Sequence, residues 1–427
     1  MLRLSNYVTI VLFIFICLPT TASPEKLFYK APTHFGVTKY FVNDYSADND
    51  PKTDDTRLFQ RAIDDIWKQG GGKLVVEKGK YSLLNVVLKS NVHIEIEAGT
   101  VIFPYLDPTP NNRFLKKAYA IFELTSKYAE PLKSVSIRGL GGDFIVDIST
   151  AINKKNRVFF IKNVQNFLIS NVEILDDYSK FSAFVLNGEY VGQRILGPKN
   201  GEIRNARVLG ADYGYGLVQA QLGESILFQN LYGLGGATLR LESHTKNLRD
   251  LTKFTPLNNI RANNIKCEKG NAAFMVSPHF VKNGQFNVDN IKAKGCGWAV
   301  RTSNGFTTKE EKSLGLYAGS FSAKSTIRNV SAQFGEYYAQ IKPKHYRYIP
   351  CVLVANIDRK AISKATGKSF VGPSIGVVLL DTDYQSFMGS DEILRSDGFY
   401  PEQQLVMGDK TSKDLCKSIP FQNNSNT

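Results

Sequence analysis

The chain has 427 residues, enough for one large domain or two to three ordinary ones, with a sizeable core. Its formal net charge is +14, which in an exported protein points to a polyanion, more often an acidic polysaccharide than a nucleic acid, with plain solubility as the other account. No CxxC occurs, which argues against a cysteine-bound metal. The first 22 residues read as a processing signal: Arg3 is the leading charge, 8–18 the apolar run, and Thr20-Thr21-Ala22 the cleavage site. That run is too short to span a bilayer, and no later stretch is long enough to anchor the chain. Secretion without a membrane anchor is therefore expected, with a charge of +13 once Arg3 is removed. Secretion permits disulfides. Of the four remaining cysteines, Cys267, Cys296, Cys351 and Cys416, the first two fall on successive repeats and invite pairing, with buried free thiols as the alternative.

After an irregular start to about Thr38, residues 40–45 read as a strand leading into an acidic turn. A helix follows, with Thr53 or Asp54 able to cap it. Leu58, Phe59, Ala62, Ile63 and Ile66 form its apolar stripe, and Gly70-Gly71-Gly72 ends it. Short strands come next at 73–77, 81–88, 92–96 and 100–103. This order of helix, glycines and short strands resembles the entrance to the pectin-lyase-like right-handed parallel β-helices. There, an amphipathic helix covers the open first coil, which would otherwise present an unpaired edge.

The middle of the chain repeats. Asn171, Asn205, Asn230, Asn264, Asn290 and Asn329 each sit in an apolar setting, 34, 25, 34, 26 and 39 residues apart. One β-helix coil fits each gap. Asn suits a tight corner because it tolerates left-handed backbone and its amide can bond to neighbouring coils. Each repeat continues into a second strand, at 182–186, 215–221, 236–244, 273–279 and 298–303. Stacked about 4.8 Å apart, these form one parallel sheet. Alternation turns Val218, Ala220, Leu239, Leu241, Phe274, Val276, Val300 and Thr302 inward. It turns Gln219, Gln221, Arg240, Glu242, His244, Ser277, His279, Arg301 and Ser303 outward.

The expected organisation is all-β: a signal peptide at 1–22, a parallel β-helix with an N-terminal capping helix over 38–332, a C-terminal subdomain over 333–421 and a disordered tail at 422–427. The C-terminal part carries Lys342, Lys344, His345, Arg347 and an apolar strand pair at 351–356 and 375–380. An insertion at 305–317 holds Glu310 and Glu311.

Glu242 on its own is an ordinary carboxylate on a solvated face. Placed between Gln219 and His279 on adjacent coils, it is a candidate catalytic group in a groove for an extended chain. Hydrolysis of a polysaccharide needs an acid for the leaving oxygen and usually a second carboxylate. Lyase chemistry needs a uronate, a base and a cation or metal. No Asp cluster falls on this sheet to hold calcium, and Asp176-Asp177 reads as a solvated turn. Tyr213, Tyr215 and Trp298 could stack on sugar rings, and Trp298 could equally be core.

These features together resemble the iota-carrageenases, glycoside hydrolases on a right-handed β-helix that cleave β-1,4 bonds in a sulfated galactan with inversion. The resemblance implies that Glu242, in Leu-Arg-Leu-Glu, is the general acid. It implies that Gln219 serves the catalytic water or an ion, and that His279, in Ser-Pro-His, contacts substrate. The family pattern places an aspartate base two residues after the acid, where this chain has His244. A neutral imidazole can act as a base, and Glu310 or Glu311 are the alternatives. Arg240, Arg301, Gln221, Tyr215 and Ser277 are the expected substrate contacts, with Lys342, Lys344 and Arg347 as further cations for sulfate. The resemblance implies a monomeric endo-hydrolase binding sulfated polysaccharide and needing no cofactor, with a structural calcium compatible. A polyuronate lyase and a non-catalytic polyanion-binding β-helix are the competing expectations.

Overall fold

A computed structural model describes residues 28–106, 109, 113–243, 253–254, 256–333, 338–349, 357, 369–380 and 405–407. The processing signal, the tail, His244, Cys351 and Cys416 lie outside the described residues, as does the first strand of the predicted C-terminal pair.

The chain winds into a parallel β-helix whose main sheet has 22 strands among the described residues. The inward rows are unbroken. Leu74, Ile94, Ile137, Ile169, Ile203, Phe228, Ala262, Val288 and Ile327 stand beside one another from coil to coil and are all buried. A second inward row carries Phe122, Phe159, Phe184, Val218, Leu239, Phe274 and Val300. Phe122 stacks on Phe159 at 5.5 Å and Phe159 on Phe184 at 4.6 Å. Each such ring, fully buried, contributes about 2–3 kcal/mol. The inward alternation expected for the second strands is the observed one.

All six predicted corner asparagines have positive φ, from 49° to 57°. Their amides form a ladder: Asn205 donates to Asn171 at 2.9 Å, Asn230 to Asn205 at 2.8 Å, and Asn264 to Asn230 at 2.8 Å. The run changes partner after Asn264, where Asp289 accepts from Asn329 at 2.7 Å. A second corner was not anticipated. It carries Ser134, Asn166, Asn200, Ser225 and Asn259, again at positive φ.

The helix Thr56–Lys68 buries Phe59, Ala62, Ile63 and Ile66 in the main core, with Leu58 packed against it. Its N-cap is Asp55, one residue beyond the expected candidates. That side chain does not cap the helix. It turns to accept from the Ser82 backbone at 3.0 Å, and burial pushes its carboxyl up to about 6. Phe59 meets Phe122 at 6.1 Å, which joins the helix to the phenylalanine row. The N-terminal segment is tied down rather than loose: Lys30 exchanges backbone bonds with the Asn166 amide, and Phe35 packs edge-on to His93. Cys267 and Cys296 form a disulfide between successive coils.

Beyond the last Asn corner, Ala339–Ile341 pairs antiparallel with Phe370–Gly372. Trp298 is fully buried in the separate cluster these strands share with Tyr348, Ile349 and Ile375. Its core alternative is the one realised. The chain then returns to the helix, because Gly376–Leu380 extends the parallel sheet beside Trp298–Thr302.

Candidate functional site

The stacked strands Lys199–Ala220, Glu224–Glu242, Ala272–Ser277 and Trp298–Thr302 set the register of the outward face. Gln219, Arg240, Met275 and Arg301 stand side by side in one row. Glu242 lies in the next row, beside Ser277. Gln219 therefore reaches Glu242 on a diagonal, its Nε2 donating to Oε2 at 2.8 Å. Arg240, on the same strand as Glu242 and two residues before it, donates to the same oxygen and to the Gly214 carbonyl. The other oxygen, Oε1, faces His279 Nε2 at 3.4 Å. Glu242 is thus held from three consecutive coils. Arg240 is only 8 % exposed, and burial makes its pairing with Glu242 stronger than an exposed ion pair.

His279 lies just beyond its strand in left-handed backbone, φ 49°, an uncommon setting for a residue with a Cβ. Its carbonyl accepts from Phe306 N at 2.9 Å and Gly319 N at 2.7 Å, so the inserted loop fixes the turn. Phe306 packs against the imidazole at 4.6 Å. Arg301 is held separately: its Nη1 donates to Tyr213 Oη and Asn271 Oδ1, both at 3.1 Å. His345 Nε2 lies 3.2 Å from the same tyrosine oxygen, and Lys342 sits 4.4 Å from the tyrosine ring centre. Tyr213 is buried, so with Trp298 it is a positioning group and not a stacking surface.

Other expected residues have distinct fates. Tyr215 is half-buried on the face, its phenol pKa raised mainly by burial, and lies in the field of Arg240 and Glu242. Ser277 is buried beside Glu242. Gln221 is half-buried at the end of its strand. His244, the expected base, lies outside the described residues. Glu311 is buried in the short helix Lys309–Ser313, where it completes a capping box with Thr308. Its carboxylate serves that helix. Asp176 is not a solvated turn residue. It accepts from Ser179 Oγ at 2.6 Å and from the Asp177 amide at 2.8 Å, and burial raises its carboxyl to about 6. Asp177, half-buried like Asp176, is paired with Lys154 at 3.0 Å.

Sequence reasoning missed three residues that build the site. Met275 fills the row between Arg240 and Arg301. Asn271 holds Arg301. Gln340 clamps the C-terminal segment to the coils, donating to Ala211 O at 2.9 Å and accepting from Gly236 N at 2.8 Å. No local pattern marks any of them, because their partners are 104 to 129 residues away in the case of Gln340. Among the described residues, no group of three or more His, Cys, Asp or Glu could hold a metal ion. No described helix is long and apolar enough to cross a membrane.

No protein-family model matches the chain. An iota-carrageenase of Zobellia galactanivorans is 32% identical over 407 residues, covering 82% of this chain and 80% of that one. An iota-carrageenase of Alteromonas macleodii is 36% identical over 280 residues, covering 65% of this chain and 55% of the relative. Among solved structures, a 1,3-α-1,4-β-D-galactose-4-sulfate-3,6-anhydro-D-galactose-2-sulfate 4 galactohydrolase superposes with a TM-score of 0.80 at 29% identity, covering 93% and 96% of the two chains. An iota-carrageenase complexed to iota-carrageenan fragments also superposes at 0.80, with 27% identity over 93% and 96%.

Proposed function

The chain belongs to the iota-carrageenase family, and on that footing we propose that it is an endo-hydrolase of iota-carrageenan with Glu242 as the general acid. The observation that carries the assignment is the convergence of Gln219, Arg240 and His279 on this one carboxylate.

The residues divide the work as follows. Glu242 gives its proton to the glycosidic oxygen as the bond to the anomeric carbon breaks. Water supplies the oxygen that bonds to that carbon, and its proton passes to His244. Inversion calls for an acid and a base roughly 6.5–9.5 Å apart, which leaves room for that water. Gln219 donates to the ionised acid in the resting protein and is free to orient the water when Glu242 is protonated. His279 lines the opposite side of the carboxyl.

An acid must carry its proton, yet in the free protein Glu242 accepts from the Arg240 guanidinium, which favours the ionised form. The substrate resolves this. A sulfate ester stays ionised and competes for Arg240, and Arg suits sulfate through paired N–H donors. Once Arg240 turns to the sulfate, Glu242 loses this guanidinium and takes up a proton more readily. Arg301, fixed by Tyr213 and Asn271, offers a second cation in the same row. The protein acts outside the cell, as a monomer, without a cofactor.

The test is incubation with iota-, kappa- and lambda-carrageenan, alginate and pectin, followed by product sizing. Iota-carrageenan should yield mid-size products with new reducing ends and no unsaturated uronate. Glu242→Gln should lose reducing-end release while unfolding at the same temperature. Activity persisting in that variant would remove Glu242 from the mechanism.

A further inference from the structure

The outward face continues towards the N-terminal coils, and one side chain there has no role in the chemistry above. Phe160, on the strand Asn156–Ile161, stands beside Val185, which stands beside Gln219. Phe160 therefore belongs to the row that carries Arg240 and Arg301. Arg157, on the same strand, lies with its guanidinium 4.5 Å from the Phe160 ring centre and 4.0 Å from that of Phe181. Both contacts are within cation–π range.

What the guanidinium lacks is a partner. It donates no hydrogen bond and makes no ion pair with any described residue, and its Nε is buried without an acceptor. Other half-buried or buried arginines have polar partners, Arg240 with Glu242, Arg138 with Glu95, Arg204 with Glu202, and Arg301 with Tyr213 and Asn271, although Nε of Arg240 and Nε of Arg301 are also without an acceptor. Arg261, half-buried against Phe28, shares the lack of a polar partner, but it stands beside Leu227, outside the row of Arg240 and Arg301. Lys162, 4.6 Å from the Phe160 ring, is already paired with Glu189 at 2.5 Å. Among the described residues, Glu123 is the carboxylate whose field reaches Arg157, and it forms no pair with it. Burial lowers the guanidinium pKa to about 10, a sign that the protein sets its charge in a poorly solvated place. Arg157 is half-buried, and a charge in such a poorly solvated place without a partner gains from an incoming anion.

The setting also joins the groove. Phe181 lies 6.1 Å from the Tyr215 ring, and Tyr215 lies in the field of Arg240 and Glu242. Three ladder steps separate the Arg157 strand from the Glu242 strand, roughly 14 Å.

We propose that Arg157, clamped between Phe160 and Phe181, is a remote anion subsite that binds a sulfate ester of the polysaccharide on the N-terminal side of the cleavage point. The proposal rests on reading the Glu242 groove as a site for sulfated galactan. The rings occupy the faces of the guanidinium, and its N–H edge is left for two sulfate oxygens. The subsite holds the polymer while the bond at Glu242 is cut, so it favours long chains over short ones.

The experiment compares Glu242→Gln with Glu242→Gln/Arg157→Gln by calorimetric titration of long iota-carrageenan oligosaccharides and of the same material chemically desulfated, at several salt concentrations. The second variant should bind the sulfated material about tenfold more weakly, with a shallower salt dependence, and the desulfated material no differently. Arg157→Lys in the same background should recover part of the salt dependence but not the full affinity, because it keeps charge and loses the planar stack. If Arg157→Gln unfolds early, Arg157→Lys carries the comparison. Equal affinity and equal salt dependence in Glu242→Gln with and without the Arg157 change would overturn the proposal. Failure of Glu242→Gln itself to bind sulfated galactan would instead overturn the reading on which it rests, and the proposal with it.

Discussion

At the scale of single residues, the site turns on two groups whose states depend on each other. Glu242 shares one oxygen between Gln219 and Arg240. If sulfate draws Arg240 away, the carboxylate gains a proton on binding. A Glu242→Asp variant would miss this, because shortening the side chain moves the carboxyl. The cleaner comparison is wild type with a non-cleaved analogue in buffers of different ionisation enthalpy. Net proton uptake is expected at neutral pH, and its disappearance in Arg240→Gln would assign it to this pair. His244 makes a separate prediction. A histidine base loses activity on the acid side as it protonates. His244→Asp should retain turnover and move that acid limb down by about two pH units. An unmoved limb would exclude His244 as the base.

At the scale of elements, the Asn ladder and the outer face of the first coils are separately testable. Asn230 has φ 53°, donates to Asn205 and accepts from Asn264. Asn230→Ala forfeits both bonds and places a Cβ residue without amide support in left-handed backbone. A loss of about 1–2 kcal/mol is expected, read from the denaturant midpoint, with Asn230→Gly losing less. His93 is buried under Phe35 and bonded to Ser136 Oγ at 2.9 Å, and burial, helped by Arg138, holds its pKa down to about 4. A histidine depressed in the fold stabilises it fully above its ordinary value near 6.5. That contribution is lost as pH falls from about 6.5 towards 4, on the order of 2–3 kcal/mol. Asp55 and Asp176, raised to about 6, act with the opposite sign and lose stabilisation as pH rises to 6. Comparing wild type with His93→Gln across pH 4 to 7 isolates the histidine: the wild type should lose more stability on acidification.

At the scale of the whole molecule, coil stacking explains both the robustness and the reach of the site. The Cys267–Cys296 disulfide closes a loop with a sequence separation of 29. Chain entropy alone predicts that reduction lowers stability by about 3–4 kcal/mol, seen as a lower unfolding temperature in a strong thiol reductant. The face holding Glu242 runs along the coil axis, so every coil adds one row of side chains to the groove. With a formal charge of +14 and an ionised polymer as substrate, KM should rise steeply with salt while kcat changes little.

The sequence by itself determined the periodic parts of this protein. A coil must turn at fixed intervals and bury one side of each strand, so Asn171 to Asn329 and the alternation of Leu239 and Leu241 with Arg240 and Glu242 were legible without coordinates. The membership of Glu242, Gln219 and His279 in one patch followed, because stacking converts sequence spacing into adjacency. Which atoms meet was a matter for the tertiary structure. Register decided that Gln219 sits beside Arg240 and reaches Glu242 diagonally, that Met275 stands between the two arginines, and that Trp298 and Tyr213 lie beneath the C-terminal segment. The clamp by Gln340, the capping role of Glu311 and the unpaired Arg157 between two rings likewise depend on partners brought from distant coils. Local periodicity carries no information about such partners, because it fixes which way a side chain points and not what it meets there.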